Sequence, residues 1–380
     1  MSGSREPTVV EVSLAGAAYP VVVGRGWLEA LAEHVVLPAS ARRALLVTQG
    51  PVVDAGHVTP VDAALRDAGL EVVWSVVPDG EAAKDLEVLA HLWRSAAEVA
   101  LSRGDLVVAV GGGVVGDLAG FAAATYNRGV AVLQVPTTLL GQVDAAIGGK
   151  TGINLPQGKN LVGAFHQPVA VACDVDVLAS LPDRLLTEGL GEVVKYGLIA
   201  DPALLERLES AAGGGGRLSP ETLEEIVRRS AAVKAAVVAA DEREGGVRAH
   251  LNLGHTYGHV VEALTGYTEV LHGEAVAIGT VVALRLGRRL GRTPAGVAER
   301  GERLLAQLGL PVRGPALDRE QVWEVMTRDK KVADGRVRFV VLDDLAAPVV
   351  VSPERGQVDA VLDELDGLDG LGGLDGLGGG

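Results

Sequence analysis

The sequence predicts two domains, a parallel α/β domain followed by a mostly helical one. At 380 residues the chain exceeds the size at which a single hydrophobic core usually stops growing. Strand-like and helix-like segments alternate in the first half, as in a parallel sheet covered on both faces. Long amphipathic segments fill the second half. We therefore predict domains at residues 1–180 and 181–362, and a tail at 363–380.

The N-terminal half opens with a predicted hairpin between Val9 and Val23, interrupted near Gly16. Short apolar runs then alternate with segments that carry apolar residues at helical spacing. The predicted strands are Ala44–Val47, Glu71–Val76, Leu106–Val110 and Ala131–Val135, and the predicted helices are Pro60–Asp67, Ala83–Val99 and Val114–Ala124.

The character of the chain changes after Leu181, and the segments up to Met326 have helical periodicity. Two short strands are predicted late in the chain, at Val337–Val341 and Val349–Val351. The tail from Asp363 repeats Leu, Asp and Gly, a composition that cannot bury a core. We expect this tail to be disordered.

Composition excludes several classes of function. The formal net charge of −15 argues against binding to nucleic acid or to acidic membrane surfaces. No apolar run reaches the length of about eighteen residues expected of a membrane helix, and the N-terminus has no signal-peptide pattern. Cys173 is the single cysteine, so an internal disulfide and a cysteine-based metal site are excluded. We expect a cytoplasmic protein.

A glycine-rich motif follows the predicted strand at Leu106–Val110. Gly111, Gly113 and Gly116 complete G-x-G-x-x-G before a helix, where backbone N–H groups can approach a pyrophosphate closely. A tight packing turn is the alternative, because the acidic residue expected about twenty positions later is missing. The segment Asp79–Lys84 follows the preceding strand and would lie at the same sheet edge.

Cationic side chains stand out in the apolar stretch from Arg128 to Ala172. Its charged residues are Arg128, Asp144, Lys150 and Lys159, and both lysines lie beside glycines. This pattern favours a site for phosphate or carboxylate oxygens over solvated loop lysines.

The histidines of the second half indicate a metal site. His255 and His259 are four residues apart in a helical segment, so both rings would leave the same helix face, and His272 follows on the next helix. Neutral imidazoles suit zinc or a similar ion, but the usual H-E-x-x-H glutamate is absent. Glu192 could supply a carboxylate ligand and leave Lys195 facing a substrate, or the two could pair with each other.

Three further lysines occur in less informative surroundings. Lys234 is the lone charge on an apolar helical face, and Lys330 and Lys331 form a basic pair. Each is individually better explained as a surface residue. Together with the lysines above, they predict a cationic pocket near a metal ion in an acidic protein.

An ordered series of motifs runs along nearly the whole chain except the tail. The motifs are DGExxK from Asp79, GGGVVGDLAGF from Gly111, QVPTTLL from Gln134, GGKTGIN from Gly148, GKNLVGAF from Gly158, GEVVKYGLI from Gly191, DEREGG from Asp241, NLGHTYGH from Asn252, HGEAVAIG from His272 and DKK from Asp329. With these motifs in this order, the sequence resembles the 3-dehydroquinate synthases, a branch of the sugar-phosphate cyclases.

The resemblance implies a Rossmann-like NAD-binding α/β domain, an all-α metal-binding domain, a cleft between them and a homodimer. It implies that zinc or cobalt is bound by Glu192, His255 and His272, while His259 faces the substrate. The implied NAD contacts are Asp79, Gly80, Glu81, Ala82, Ala83, Lys84, Gly113, Val114, Val115, Gly116, Asp117, Thr137, Thr138, Lys150, Lys159, Val177, Leu178, Ala179 and Ser180. The implied substrate contacts are Arg128, Asp144, Lys150, Asn160, Lys195, Lys234, Arg248, Asn252, His259 and one of Lys330 and Lys331.

The chemistry implied by the resemblance is the conversion of an anionic sugar phosphate, 3-deoxy-D-arabino-heptulosonate 7-phosphate, into 3-dehydroquinate and phosphate. NAD would be reduced and reoxidised in each turnover, so the enzyme would be a lyase of the shikimate pathway to aromatic amino acids. Alternatives are a cyclase that acts on an amino analogue or on sedoheptulose 7-phosphate, a metal-dependent polyol dehydrogenase, and a non-enzymatic metal-binding protein.

Overall fold

The computed structural model describes residues 6–213, 217–243, 246–328 and 336–367. The chain forms two compact units. The first comprises Met1–Gly189 and Arg217–Gly245, and the second comprises Leu190–Gly216 and Gly246–Gly380. The first unit thus runs past the boundary that the sequence suggested near residue 180, and it includes a helical segment from later in the chain.

The first unit contains nine strands and most of the shorter helices among its described residues. The strands are β1 (Thr8–Leu14), β2 (Ala17–Gly24), β3 (Arg43–Gln49), β4 (Glu71–Val77), β5 (Leu106–Gly111), β6 (Ala131–Pro136), β7 (Lys150–Leu155), β8 (Gly158–Phe165) and β9 (Ala170–Asp174). The helices are α1 (Leu31–His34), α2 (Gly50–Asp54), α3 (Val58–Asp67), α4 (Leu86–Glu98), α5 (Gly113–Thr125), the start of α6 (Asp183–Ile199) and, after α7 (Pro202–Ala212) of the second unit, α8 (Pro220–Ala240).

Seven strands form the main sheet, in the order β1-β2-β9-β6-β5-β3-β4. The predicted opening hairpin is confirmed, because β1 and β2 pair antiparallel, and the remaining neighbours pair in parallel. All six residues of β5 are buried, as expected of a central strand with both faces covered. Helix α8 packs against β1 and β2, which explains why it belongs to this unit.

A second hairpin, β7–β8, was not predicted from the sequence. Residues of GGKTGIN and GKNLVGAF pair antiparallel, from Lys150 opposite Phe165 to Leu155 opposite Gly158. No secondary structure was predicted for these two motifs. The pairing is possible because Gly163 lies across from Gly152, where a Cβ on Gly163 would lie 2.0 Å from the carbonyl oxygen of Thr151.

The second unit is helical apart from one hairpin within its described residues. Beyond the end of α6 and α7, it contains α9 (His255–Leu264), α10 (His272–Arg289), α11 (Ala295–Gln307), α12 (Arg319–Arg328) and α13 (Arg355–Gly367), with β10 (Phe339–Asp344) paired antiparallel to β11 (Ala347–Val351). The two late strands predicted from the sequence are therefore confirmed.

Glycines bring α9 and α10 into backbone contact. A Cβ on Gly279 would lie 1.8 Å from the carbonyl oxygen of Gly254, and a Cβ on Gly258 would lie 2.9 Å from that of Ala275. Helix α6 approaches the start of α10 in the same way, because a Cβ on Gly191 would lie 2.3 Å from the oxygen of Gly273. These contacts set the spacing of the three helices that carry Glu192, His255 and His272.

The predicted disorder from Asp363 onward was wrong for the residues up to Gly367, which form the end of α13. Val358, Val361, Leu362 and Leu365 lie on one face of this helix and are buried, so Leu365, at the start of the repeat, still reaches a core. Residues 368–380 lie outside the described residues. No helix in the described ranges is both long and apolar enough to cross a membrane.

Candidate functional site

The predicted nucleotide-binding residues follow the carboxyl ends of four parallel strands. Gly80–Ala83 form a short helical turn after β4, Gly113–Asp117 form the first turn of α5 after β5, Thr137 and Thr138 follow β6, and Val177–Ser180 lie in a helical turn after β9. Ligands of open α/β sheets bind at this edge. The first turn of α5 also offers backbone N–H groups to an anion.

Lys84 is the buried centre of a polar cluster at this edge. Its side chain is 3% exposed, and its Nζ lies 2.6 Å from Oδ2 of Asp117 and donates to Oδ1 of Asn160. Asp117 belongs to α5 and Asn160 to β8, so one lysine ties the glycine-rich helix to the hairpin. A buried ammonium requires such partners.

The hairpin also binds the Asp79–Lys84 segment, through Asn154 and through Lys159, a predicted NAD contact. Asn154 donates from Nδ2 to Oε2 of Glu81 at 2.8 Å and accepts from the backbone N–H of Asn160 at 2.9 Å. Lys159 lies 3.3 Å from Oε1 of Glu81. Asn154 was missed, although an asparagine inside a glycine-rich lysine motif was the available signal.

Other predicted first-unit residues occupy distinct positions. Lys234 on α8 is buried and pairs with Asp144, so the fold brings together two residues 90 positions apart. Arg128 and Lys150 are exposed, and Arg128 has a positive φ of 65° at the end of the turn after α5. Ser180 Oγ lies 2.7 Å from Nε2 of His57.

Three helices of the second unit bring Glu192, His255 and His272 together. Glu192 lies in the middle of α6, whereas His255 and His272 are the first residues of α9 and α10. Oε1 of Glu192 lies 3.3 Å from Nε2 of His255 and 3.4 Å from Nε2 of His272. One ligand atom from each residue lies within 4.8 Å of the others, and this is the single group of three such residues in the described ranges.

Both imidazoles are held through their other nitrogen. Nδ1 of His255 lies 3.1 Å from the carbonyl oxygen of Leu253, and Nδ1 of His272 lies 3.1 Å from Oε2 of Glu262. Each partner lies at Nδ1, so Nε2 of both rings faces the carboxylate of Glu192. Glu262 was not predicted from the sequence. The available signal was an acidic residue between two apolar ones, seven residues after His255 in the same helical segment.

The carboxylate of Glu192 at the centre of this cluster is fully buried. Burial alone would raise the pKa of Glu192, but Lys195 and His255 hold that pKa well below its usual range. Lys195 is 1% exposed and contacts Oε2 of Glu192, so these two residues pair, which was one of the two alternatives that the sequence left open. Burial would lower the pKa of His272, but the carboxylates of Glu262 and Glu192 raise that pKa well above its usual value. The two carboxylates therefore favour positive charge at this position.

The spacing of the donors fits a divalent ion. Zinc lies about 2.0–2.2 Å from nitrogen and oxygen ligands, so ligands at two corners of a tetrahedron are separated by roughly 3.3–3.5 Å. The two Glu192–imidazole distances of 3.3 and 3.4 Å match that edge length. Two neutral nitrogens and one carboxylate also form a common zinc ligand set, with the fourth position open.

His259 lies beside this group and outside it. Its ring centroid is 5.5 Å from that of His255 and 6.4 Å from that of His272. The pair of histidines that spacing alone suggested is therefore replaced by a triad containing Glu192. Arg248 is fully buried and Asn252 half-buried in the helical turn before α9. Lys330 and Lys331 lie outside the described residues.

Comparison with known proteins identifies the family. The model of the 3-dehydroquinate synthase N-terminal domain matches residues 74–188, and that of the C-terminal domain matches residues 189–332. The 3-dehydroquinate synthase of Halorhodospira halophila is 48% identical over 342 residues, which cover 89% of this chain and 94% of that protein. The chain belongs to the 3-dehydroquinate synthase family.

Solved structures extend the likeness to other sugar-phosphate cyclases. A 2-deoxy-scyllo-inosose synthase complexed with carbaglucose-6-phosphate, NAD+ and Co2+ has a TM-score of 0.85 at 25% identity and covers 94% of this chain and all (100%) of its own. A 2-epi-5-epi-valiolone synthase from Streptomyces hygroscopicus subsp. jinggangensis, with NAD+ and Zn2+ bound, has a TM-score of 0.84 at 28% identity and covers 94% of this chain and 99% of its own. The α/β and helical architecture of the 3-dehydroquinate synthase family is thus shared with both.

Proposed function

We propose that this member of the family is a carbon–oxygen lyase that converts 3-deoxy-D-arabino-heptulosonate 7-phosphate into 3-dehydroquinate and phosphate. The proposal places the enzyme in the shikimate pathway, which supplies aromatic amino acids. Its cofactors would be NAD and one divalent ion, zinc or cobalt. The observation that carries it is the triad of Glu192, His255 and His272, with donor separations of 3.3 and 3.4 Å, in a chain of this family.

The triad would hold the ion through Oε1 of Glu192 and Nε2 of each histidine. When bound, such an ion supplies Lewis acidity to substrate hydroxyls and lowers the energy of developing negative charge on oxygen. Burial of Glu192 excludes water from one side of the site. Leu253 and Glu262 keep both Nδ1 atoms occupied, so the histidines present the correct nitrogen without rearrangement.

The substrate bears a carboxylate and a phosphate, and both units provide cations suited to them. Arginine and lysine bind such groups by charge-assisted hydrogen bonds. In the first unit we assign substrate contacts to Arg128, Asp144, Lys150, Asn160 and Lys234, and in the second to Lys195, Arg248, Asn252 and His259, with one of Lys330 and Lys331.

NAD would lie at the carboxyl edge of the main sheet. It supplies a hydride acceptor that is regenerated within the turnover, so no second substrate is needed. The first turn of α5, from Gly113 to Asp117, offers N–H groups to the pyrophosphate. Lys84 fixes the position of that turn through Asp117.

A phosphate-release assay tests the proposal. Turnover of the heptulosonate phosphate should require NAD+ and be lost after chelation, then return when Zn2+ or Co2+ is added. The absorbance of NADH should show no net change while phosphate accumulates. Net NADH production would indicate a polyol dehydrogenase, and full activity of metal-stripped enzyme would contradict the proposed role of the triad.

A different cyclase activity is the second candidate, because two solved structures that resemble the chain act in that wider group. The higher identity of 48% to a 3-dehydroquinate synthase favours the carboxylate-bearing substrate. Parallel assays with sedoheptulose 7-phosphate and with the amino analogue separate the two. Faster turnover of either alternative substrate would reassign the chain.

We further infer a cytoplasmic homodimer. A chain with one cysteine forms no internal disulfide, as is usual in a reducing compartment. Leu161 and Phe165 are exposed apolar residues on one face of β8, and such a patch suits contact with a second copy. Sedimentation should give a dimer, and the double variant Leu161→Asp and Phe165→Asp should shift it to monomer; a wild-type monomer would contradict this inference.

A further inference from the structure

Glu262 is a buried acid to which neither the family comparison nor the sequence analysis assigns a role. It lies on α9, is 5% exposed, and has Val260 and Val261, both buried, as its preceding neighbours. Isolated carboxylates are rarely buried in such surroundings because desolvation of the charge is costly. Its position therefore requires an explanation.

Glu262 contacts a residue of the metal site. Its Oε2 lies 3.1 Å from Nδ1 of His272, and Nε2 of the same ring lies 3.4 Å from Oε1 of Glu192. The imidazole is thus held between two carboxylates, one at each nitrogen. A carboxylate at Nδ1 fixes both the tautomer and the plane of the ring.

The two histidines differ in what holds them. His255 donates from Nδ1 to the backbone carbonyl oxygen of Leu253, two residues before it, so local chain geometry orients that ring. His272 begins α10 and depends on a side chain from α9, ten positions earlier. Substitution of Glu262 therefore removes the side-chain partner of His272 and leaves the backbone partner of His255 unchanged.

We propose that Glu262 is a positioning residue for the metal site, which sets the tautomer and orientation of His272 for coordination through Nε2. This inference rests on the proposed function, because it assumes that Glu192, His255 and His272 bind a divalent ion. A carboxylate partner also strengthens the ring as a donor, since it stabilises the positive charge that develops on a coordinated imidazole.

The test measures Zn2+ affinity by competition with a chromophoric chelator, in the full-length chain. Glu262→Gln keeps the shape of the side chain and removes its charge, and Glu262→Ala removes the partner altogether. We expect affinity to fall by about 10–100-fold in Glu262→Gln and at least as far in Glu262→Ala. With Co2+ as the probe, the visible absorption bands should shift in both variants.

A matched control separates positioning from general stability. Glu299→Gln removes an exposed carboxylate of α11 that lies 3.5 Å from Arg288, and such surface pairs contribute little. We expect this variant to bind Zn2+ as the wild type does. If Glu262→Ala does not fold, Glu262→Gln decides the question.

The outcomes distinguish this inference from the proposed function. If His255→Ala loses Zn2+ binding while Glu262→Gln retains wild-type affinity and Co2+ absorption, the role of Glu262 is overturned and the metal site stands. If the wild type and His255→Ala bind Zn2+ equally, the metal site and the role of Glu262 both fail. A Glu262→Gln variant with lower thermal stability but unchanged affinity would make the contact merely structural, which also overturns the proposal.

Discussion

Buried charge is arranged differently in the two units. In the first unit, Lys84 is surrounded by the oxygens of Asp117 and Asn160, so the ammonium already has close partners within the protein. In the second unit, Oε2 of the buried Glu192 carboxylate contacts Lys195, whereas Oε1 has two imidazole nitrogens at 3.3 and 3.4 Å, farther than the about 2.7–2.9 Å of a charge-assisted hydrogen bond.

This difference indicates different roles. A lysine with close oxygen partners holds structural elements in place, and here it joins α5 to the β7–β8 hairpin. Donor atoms that converge at the edge length of a coordination tetrahedron leave room for an ion between them. The first cluster therefore shapes a binding surface, whereas the second provides ligands. The predictions below test that distinction.

The largest effect is expected from loss of a triad residue. Glu192→Gln, His255→Ala and His272→Ala should each reduce turnover to background, because two remaining donors hold a divalent ion poorly. Metal analysis of the purified variants should show loss of bound Zn2+ with NAD+ affinity retained. A triad variant that keeps both its metal and its activity would remove the distinction between the units.

Lys84→Ala should weaken NAD+ binding and leave metal binding unchanged, the reverse of the triad variants. The substitution leaves the carboxylate of Asp117 without its cation and frees the first turn of α5, so we expect NAD+ affinity to fall by about 10–100-fold, corresponding to a buried charged hydrogen bond. Metal content should match the wild type. Calorimetric NAD+ titration checks this, and a variant that loses zinc instead would contradict it.

Gly279→Ala should destabilise the second unit. The new Cβ would lie 1.8 Å from the carbonyl oxygen of Gly254, so α9 and α10 must separate, at a cost of about 1–3 kcal/mol in the free energy of unfolding. Gly296→Ala on α11 is the matched control, because no atom lies within 4 Å of its Cβ position. Denaturant unfolding should show opposite signs for the two variants, since alanine stabilises an unobstructed helix. Equal effects would show that the close approach of α9 and α10 is unimportant.

The smallest effect is expected at Asp105, a buried carboxylate of the first unit that binds backbone N–H groups. It is 2% exposed and accepts from the backbone N–H groups of Arg42, Arg43 and Ser102 at 2.8, 3.0 and 2.7 Å. Burial would raise the pKa of Asp105, but these hydrogen bonds lower it to about 2.

Because this pKa is lower in the folded state than in the unfolded chain, the stabilisation by Asp105 is present at neutral pH and is lost as the pH falls through about 4 toward 2. Asp105→Asn should cost on the order of 1–2 kcal/mol at pH 7, after allowance for solvent screening. The difference from wild type should shrink at pH 3. Urea unfolding at both pH values checks this, and a pH-independent difference would contradict it.

Much of the fold followed from local patterns. β3 and β5 consist almost wholly of buried residues, and their apolar runs were recognisable because central parallel strands have both faces covered. The β7–β8 hairpin was missed because half of its strand residues are glycines, lysines and asparagines, whose strand propensity is weak. Cross-strand pairing overrides that propensity, and pairing partners are not evident from local composition.

The site was predictable to a different degree in each unit. The motifs identified His255, His272 and Glu192 through resemblance, but helical spacing alone favoured His255 with His259, because spacing reports one helix and the triad uses three. Glu262 and Asn154 were missed, since each contacts another side chain and local sequence does not show which residue it meets.

The sequence by itself determined the family, the alternation of strands and helices, and the residue types needed for an anionic substrate, a dinucleotide and an ion. These features follow from the order of residues along the chain, because periodicity and motif spacing depend on neighbouring positions. Only the tertiary structure decided that a carboxylate from α6 meets the first residues of α9 and α10, and that Glu262 holds one of those imidazoles. The reason is physical: the meeting depends on backbone approach at Gly191, Gly258 and Gly279, and the separation of two packed helices is set by their contacts in three dimensions.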